Sequence, residues 1–217
     1  MDTAVALVQA YLHLNGYFTV AEYPVLYDSP DGQVRTVTDL DILAYRFPGA
    51  GDVGVHSSTR RASERVTVDP ALGAPVDRAD MIVGEVKEGA ARLNRALRDA
   101  TTLEVALARF GCCPAEEATG LSHTLLTTGR VGTGAGHEIR VVAFGSVSDT
   151  VRPGPWRTVP MRHVVEYLQQ HLHDHWRVLR HAQIHDEGLA VLALMEKWGL
   201  GLTSTSGDPV PRSSSHG

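Results

Sequence analysis

The run MIVGEVK at residues 81–87 constrains this chain more than any other stretch. Met81, Ile82, Val83 and Val86 are apolar, as a buried strand requires, yet Glu85 and Lys87 interrupt the run. Successive side chains on a strand alternate faces, so Glu85 and Lys87, two apart, point the same way. A carboxylate and an ammonium on an oily strand cost free energy unless something compensates them. Lysine is also the rarer choice here. Of the 20 basic residues 18 are arginine, and only Lys87 and Lys197 are lysine. A chain that otherwise uses arginine has a reason to keep a compact ammonium of adjustable proton affinity at 87.

The flanking elements place that strand in a layered fold. Asp2 or Thr3 can cap a helix running to Leu14, with Val5, Val8 and Leu12 on its apolar stripe and Asn15-Gly16 as its stop. YFTVAEYPVLYD reads as a strand, DSPDG as its turn, and VRTVTDLDILAYRF as the antiparallel return. On that return, alternation sets Val37, Asp39, Asp41, Leu43 and Tyr45 on one face and Leu40, Ile42 and Ala44 on the other. Residues 48–78 are polar and turn-rich, and read as a long inserted loop with a short strand at ERVTV. Residues 79–87 form the third strand. A helix is expected over 90–110, with Leu93, Leu97, Leu103 and Leu107 on its apolar side.

HEIRVVAFGS is the fourth strand, and the GTGAG before it lacks dinucleotide-binding spacing and reads as a hairpin turn. Pro160 sits in the first turn of a long helix to about Ala182, and Asp186 starts another that ends near Gly199. The order is helix, strand, strand, strand, helix, strand, then helices. It predicts an α/β core, a central mixed sheet flanked by helices, over residues 1–150. A C-terminal helical extension follows over 151–202, and 203–217 reads as a disordered tail.

Composition narrows the function. At 217 residues the chain suits one domain or one domain with a small appendage. A net charge of −5 argues against coating nucleic acid by charge alone, though not against a local basic patch. No apolar stretch approaches a membrane span, so no membrane partner is expected. The two cysteines, Cys112 and Cys113, are adjacent and lack disulfide or metal-site spacing, which points to a reducing, cytoplasmic home.

A metal site gives Glu85 and Lys87 a use. Mg²⁺ takes oxygen ligands, typically one or two carboxylates with water and phosphate oxygens. Glu85 can supply one carboxylate, the Val86 carbonyl a further oxygen, and Asp41 on the neighbouring strand a second carboxylate. Lys87 can orient an attacking water and steady phosphate charge as it develops. The tripeptide alone is weak: with 25 acids and two lysines in 217 residues, about 0.2 acid-x-Lys matches arise by chance.

Asp41 in TDLDILAYR, followed by Glu85-Val86-Lys87 in MIVGEVKEG, resembles the PD-(D/E)XK superfamily of restriction-endonuclease-like phosphodiesterases. The element order matches too, and Asp39-Leu40-Asp41-Ile42-Leu43-Ala44 is similar to the equivalent strand of the archaeal Holliday-junction-resolvase-like branch. The resemblance covers about residues 1–145. It implies a restriction-endonuclease-like core in which Asp41 and Glu85 bind Mg²⁺ or Mn²⁺ and Lys87 positions the nucleophilic water. It departs from the family in three places. Leu40 stands where the name has proline, and 43 residues separate Asp41 from Glu85, so 48–78 must be an insertion. On the first helix, where some relatives carry a metal-reaching acid, the inward candidate is Gln9. Glu22 is a substitute, and Asp39 an auxiliary acid.

Arg92, Arg95 and Arg98 at spacing three form a basic stripe on the expected 90–110 helix, the first choice for holding a nucleic-acid backbone. Arg60 and Arg61 in the insertion are a second. The leading expectation is a metal-dependent endonuclease acting on DNA. The alternative is an inactive nuclease-fold module that binds nucleic acid or a protein partner, and a homodimer is compatible with either.

Overall fold

The computed structural model describes residues 2–50, 52–55, 62–65, 68–146, 154–181, 184 and 186–200. Asp2 opens the first helix, α1 (Thr3–Leu14), where its carboxylate accepts the Ala4 N–H at 2.7 Å. The helix stops at Asn15 as expected. Asn15 is fully buried, donates its amide to the Tyr11 carbonyl at 2.7 Å and accepts the Asp69 N–H at 2.7 Å.

Strands β1 (Phe18–Asp28) and β2 (Val34–Arg46) form the expected antiparallel hairpin, from Phe18 opposite Tyr45 to Asp28 opposite Val34. Gly32 closes its turn at φ 74, where glycine carries no steric cost. Two irregularities break the clean alternation expected of β2. Opposite Val25 and Leu26 stand Thr38 and Thr36, so Val37 is the extra residue of a β-bulge. Glu22, at φ 51, interrupts β1 between the pairs Ala21–Ile42 and Tyr23–Leu40, where Asp41 would face it. Leu40 therefore does not share a face with Ile42 and Ala44. It packs with Leu43, Met81 and Val83, while Ile42 and Ala44 enter the opposite core.

The insertion is not all loop. Strands β3 (Asp52–Val55) and β4 (Ala62–Arg65) pair as a separate antiparallel ribbon, and Pro70–Leu72 makes a 3-10 turn. Arg60, Arg61 and residues 66–67 of the expected ERVTV strand lie outside the described residues. Strand β5 (Asp80–Ala90) then enters the main sheet.

The helix expected over 90–110 starts ten residues late, and the strand runs three residues longer than expected. After β5 come an irregular segment, a 3-10 turn at Ala96–Arg98, and α2 (Ala100–Phe110). Two side chains impose this: Asn94 accepts the Leu97 N–H at 2.6 Å, and Asp99 caps α2 through the Thr101 N–H at 3.1 Å. Leu93 and Leu97 are buried as their spacing suggests, but on a non-helical segment. The segment passes so closely over Gly145 that a Cβ there would lie 2.9 Å from the Ala91 nitrogen.

Helix α3 (Ala115–Thr128) had no counterpart in the sequence reading; a central Gly120 and several threonines weaken its signal. Strands β6 (Arg130–Gly132) and β7 (Glu138–Ser146) form the hairpin expected of GTGAG. Strand β8 (Arg157–Pro160) ends at Pro160, which is the N-cap of α4 (Met161–Asp174) rather than a residue inside its first turn. That helix stops eight residues short of Ala182. A short α5 (Trp176–Leu179) follows, then α6 (Glu187–Lys197), capped by Asp186 as expected. The expected tail lies outside the described residues.

The main sheet is mixed and six-stranded, in the order β1-β2-β5-β7-β6 with β8 also on β7; β5 and β7 run parallel. Helices cover both faces. Val8, Tyr11 and Leu12 of α1 join Val164 and Leu168 of α4, and Leu189 and Leu192 of α6, over Ile42, Ile82 and Phe144. Leu103 and Leu107 of α2 and Leu125 of α3 cover Leu43, Val83 and Val141. The fold is thus α/β, and the C-terminal helices expected as an extension pack into its core. No helix among the described residues is long and apolar enough to cross a membrane.

A polar cluster ties the insertion to α1 and α4. Asp69 Oδ2 accepts the Tyr11 hydroxyl at 2.7 Å and lies 2.5 Å from His163 Nε2, while Oδ1 accepts the Ala71 N–H at 2.8 Å. Burial pushes the Asp69 carboxyl up, but these bonds outweigh it and hold its pKa below the ordinary value. A carboxyl depressed in the folded state contributes stability above its unfolded pKa of 3.8 and loses it as pH falls through the folded value. Asp69→Asn is expected to cost about 1.5–3 kcal/mol at pH 7, the scale of bonds to a charged group. In urea unfolding the gap to wild type should close below the ordinary carboxyl range; a gap constant down to pH 3 would refute this.

Candidate metal and phosphodiester site

Asp41 and Glu85 meet where the β2–β5 ladder opens. Pairing runs from Arg46–Asp80 to Ile42–Gly84 and stops, and the next positions in that register are Asp41 and Glu85. In place of a further ladder bond, the Val86 N–H donates to Asp41 Oδ2 at 2.7 Å. Lys87 lies just beyond, in a bulge. From Val86 to Ala90 β5 advances four residues while its partner β7 advances two, from Phe144 to Ser146. Such a bulge re-aims the side chains it contains. Here the Lys87 ammonium closes on Glu85 Oε1 and stands 3.8 Å from Asp41 Oδ2.

The three groups differ sharply in solvent access: the Glu85 side chain is 0% exposed and that of Lys87 39%. Both Glu85 oxygens lack a hydrogen-bonded partner among the described residues. The Lys87 ammonium is nonetheless in ion-pair contact with Oε1, and both it and the nearby Asn94 main chain lower the carboxyl's pKa. Burial drives the Glu85 pKa up, the Asp41 charge adds to the rise, and Lys87 opposes it incompletely. Asp41 is raised as well, chiefly by burial and further by the Asp2 carboxylate, against the Val86 N–H and Lys87. Burial acts against the Lys87 charge, but the two carboxylates outweigh it and its pKa rises. Two carboxylates and one ammonium thus share a half-dry corner in which the carboxylates are under-satisfied. Among the described residues no cluster of three or more His, Cys, Asp or Glu forms.

The structure brings Asp41, Glu85, Val86 and Lys87 together, as the sequence reading expected, and moves other candidates away. Gln9 turns to β1, donating to the Thr19 hydroxyl at 3.0 Å, so it is not a substitute for a helix acid. Asp39 is exposed opposite Pro24, with no hydrogen bond or ion pair to the three among the described residues. Glu22 accepts the Asp2 N–H at 3.1 Å at the rim. Arg92, Arg95 and Arg98 are exposed but form no helical stripe, because 92 and 95 lie on irregular backbone. Instead Arg98 is held over the Trp156 ring at 5.8 Å.

Nothing in the sequence pattern marks Asp2 and Asn94 as neighbours of the site. Asp2 looked like a helix cap, and capping it does; what brings it toward Asp41 is the return of α1 over the sheet. The chain matches no protein-family model, no curated protein and no solved structure.

Proposed function

We propose that the chain is a metal-dependent phosphodiesterase with a restriction-endonuclease-like core, cutting DNA by water attack at phosphorus. One observation carries the reading: a fully buried glutamate at the position next to Asp41 where the ladder opens, whose one ion-pair partner among the described residues is Lys87. A buried carboxylate held by a single ammonium at a splayed strand pair keeps lone pairs for a ligand.

The donor set suits a hard divalent ion. Asp41 and Glu85 would hold Mg²⁺ or Mn²⁺, with the Val86 carbonyl as a neutral oxygen, which matches the one or two carboxylates Mg²⁺ takes from protein. When bound, the ion supplies Lewis-acid stabilisation of phosphate charge and a more acidic water. Lys87 does the rest from the chain's own side. Its ammonium, fixed by the bulge, donates to the water and to a non-bridging phosphate oxygen. The water's oxygen attacks phosphorus, its proton leaves to solvent or phosphate, and the bond to the leaving ester oxygen breaks. Arg92, Arg95 and Arg98 serve the flanking backbone.

Calorimetric titration of Mn²⁺ should show binding to wild type and at least about tenfold weaker binding to Asp41→Ala, from loss of one of two charged ligands. Plasmid and branched DNA then report cutting. Wild type that binds no Mn²⁺ would leave the alternative, a nuclease fold kept only to bind nucleic acid or a protein.

A further inference from the structure

Beyond Asn94, on the face that Glu85 shares with Met81 and Val83, the segment continues into an open cleft of about 770 Å³. Its lining includes Val37, Arg95, Arg98, Asp99, His123 and Leu126. Two features make it unlike an ordinary surface dent. Val37 is the extra residue of the β2 bulge, so an apolar side chain that pairing would otherwise fix is turned out, 55% exposed, into a basic cleft. Arg98 is held over Trp156, so its charge is pre-positioned. Among the described residues lining the cleft only Asp99 is acidic, and its carboxylate is engaged by the Thr101 N–H that starts α2.

The cleft's lining adjoins the candidate site along the chain. Asn94, beside Glu85, precedes Arg95 directly, and Val37 lies four residues before Asp41 on β2. At ~3.3 Å per strand residue that is about 13 Å, a few nucleotides at the ~3.4 Å rise of one strand. Its volume is within the range of small-ligand sites.

We propose that this cleft holds an unpaired nucleotide of the strand being cut, with its base on Val37 and Leu126 and its phosphates on Arg95 and Arg98. The proposal rests on the nuclease reading and names its substrate class: nucleic acid that is single-stranded near the cleaved bond. Apolar walls need a free base face, and a duplex hides its base faces in the stack, presenting phosphates, sugars and base edges. Guanidiniums alone would serve any backbone. An exposed valine among them adds an apolar wall that an unpaired base can cover.

Fluorescence anisotropy in EDTA at fixed salt tests this without catalysis. A labelled single-stranded 20-mer should bind wild type about tenfold or more tighter than the same sequence as duplex, the order one stacked base provides. Val37→Ser should weaken the single strand about three- to tenfold and leave the duplex unchanged. Arg95→Gln should weaken both and reduce the salt slope by roughly one phosphate contact, ~0.7 for a single strand. Both positions are exposed, and far-UV dichroism checks that the variants fold. Equal or tighter duplex binding, or a Val37→Ser variant that binds the single strand like wild type, overturns the cleft. Selective single-strand binding without any Mn²⁺-dependent cutting supports the cleft and removes the nuclease reading instead.

Discussion

Glu85→Gln is expected to do two opposite things: abolish Mn²⁺-dependent cutting and raise stability. Glutamine keeps the shape and one carbonyl oxygen but removes the charge. Loss of a charged ligand at the reacting centre should lower the cleavage rate by at least about 10²–10³-fold, the scale seen when one group stabilising transition-state charge is deleted. Stability moves the other way. Burial raises the Glu85 pKa, so the folded state prefers the protonated carboxyl. The stability linked to that proton is present below the unfolded value of 4.5 and is lost as pH rises through the folded pKa. Glutamine mimics the protonated form at every pH. Its advantage over wild type should therefore grow as pH rises above 4.5 and level off above the folded value, reaching about 0.5–2 kcal/mol, the usual gain when a functional group is relieved. Lys87 tempers the gain, because it loses a partner, but it is part-exposed and keeps Asp41. Metal-free thermal unfolding at pH 5 and pH 8 measures this. A variant less stable than wild type at pH 8 would mean the Glu85–Lys87 pair is a structural ion pair, and would count against the site.

Much of the site was legible because it is made from adjacent residues on strands. Glu85, Val86 and Lys87 are fixed relative to one another by the backbone, and Asp41 belongs to a run whose apolar pattern marks it as a strand. What alternation cannot show is where it fails. Leu40 and Leu43 share a core although their numbers say otherwise, since the strand is interrupted where Asp41 faces Glu22. The bulges at Val37 and at Lys87 to Gly89 leave no mark in hydropathy, yet they aim the two side chains that matter most beyond the carboxylates. The helix expected over 90–110 is cut short for a related reason. Leucines at 93, 97, 103 and 107 suit one helical stripe, but Asn94 and Asp99 compete locally for backbone N–H groups and split the run. Arginines assigned to a helix face thereby came to line a cleft.

Loss of Arg140 is the largest stability effect expected, about 3–5 kcal/mol for Arg140→Ala, because it breaks a buried ion pair from one side. Arg140 Nε and Nη2 donate to the two oxygens of Asp80 at 2.8 and 2.6 Å, and Tyr17 donates its hydroxyl to Asp80 Oδ2 at 2.5 Å. Both ion-pair partners are buried, and burial together with Asp80 pushes the Tyr17 pKa well up, so it stays a donor. Among the described residues, removing the guanidinium leaves Asp80 with the Tyr17 hydroxyl and no ion-pair partner in the core. The Leu72 carbonyl also loses the Arg140 Nη1 bond at 2.7 Å but keeps the Arg157 Nε bond at 3.1 Å, so this part of the loss is smaller. Chemical denaturation at pH 7 should show the full cost in the midpoint with little change in slope. The discriminating variant replaces all three groups at once: Tyr17→Phe, Asp80→Leu and Arg140→Met. If the cost of Arg140→Ala is the stranded charge, this apolar set should be more stable than the single variant by about 2 kcal/mol or more, as buried ion pairs replaced by packed apolar groups often are. If it is as damaged as the single variant, the network stabilises by its own bonds. Its role would then be more than fixing β5 against β7, the two parallel strands on which the position of Glu85 depends.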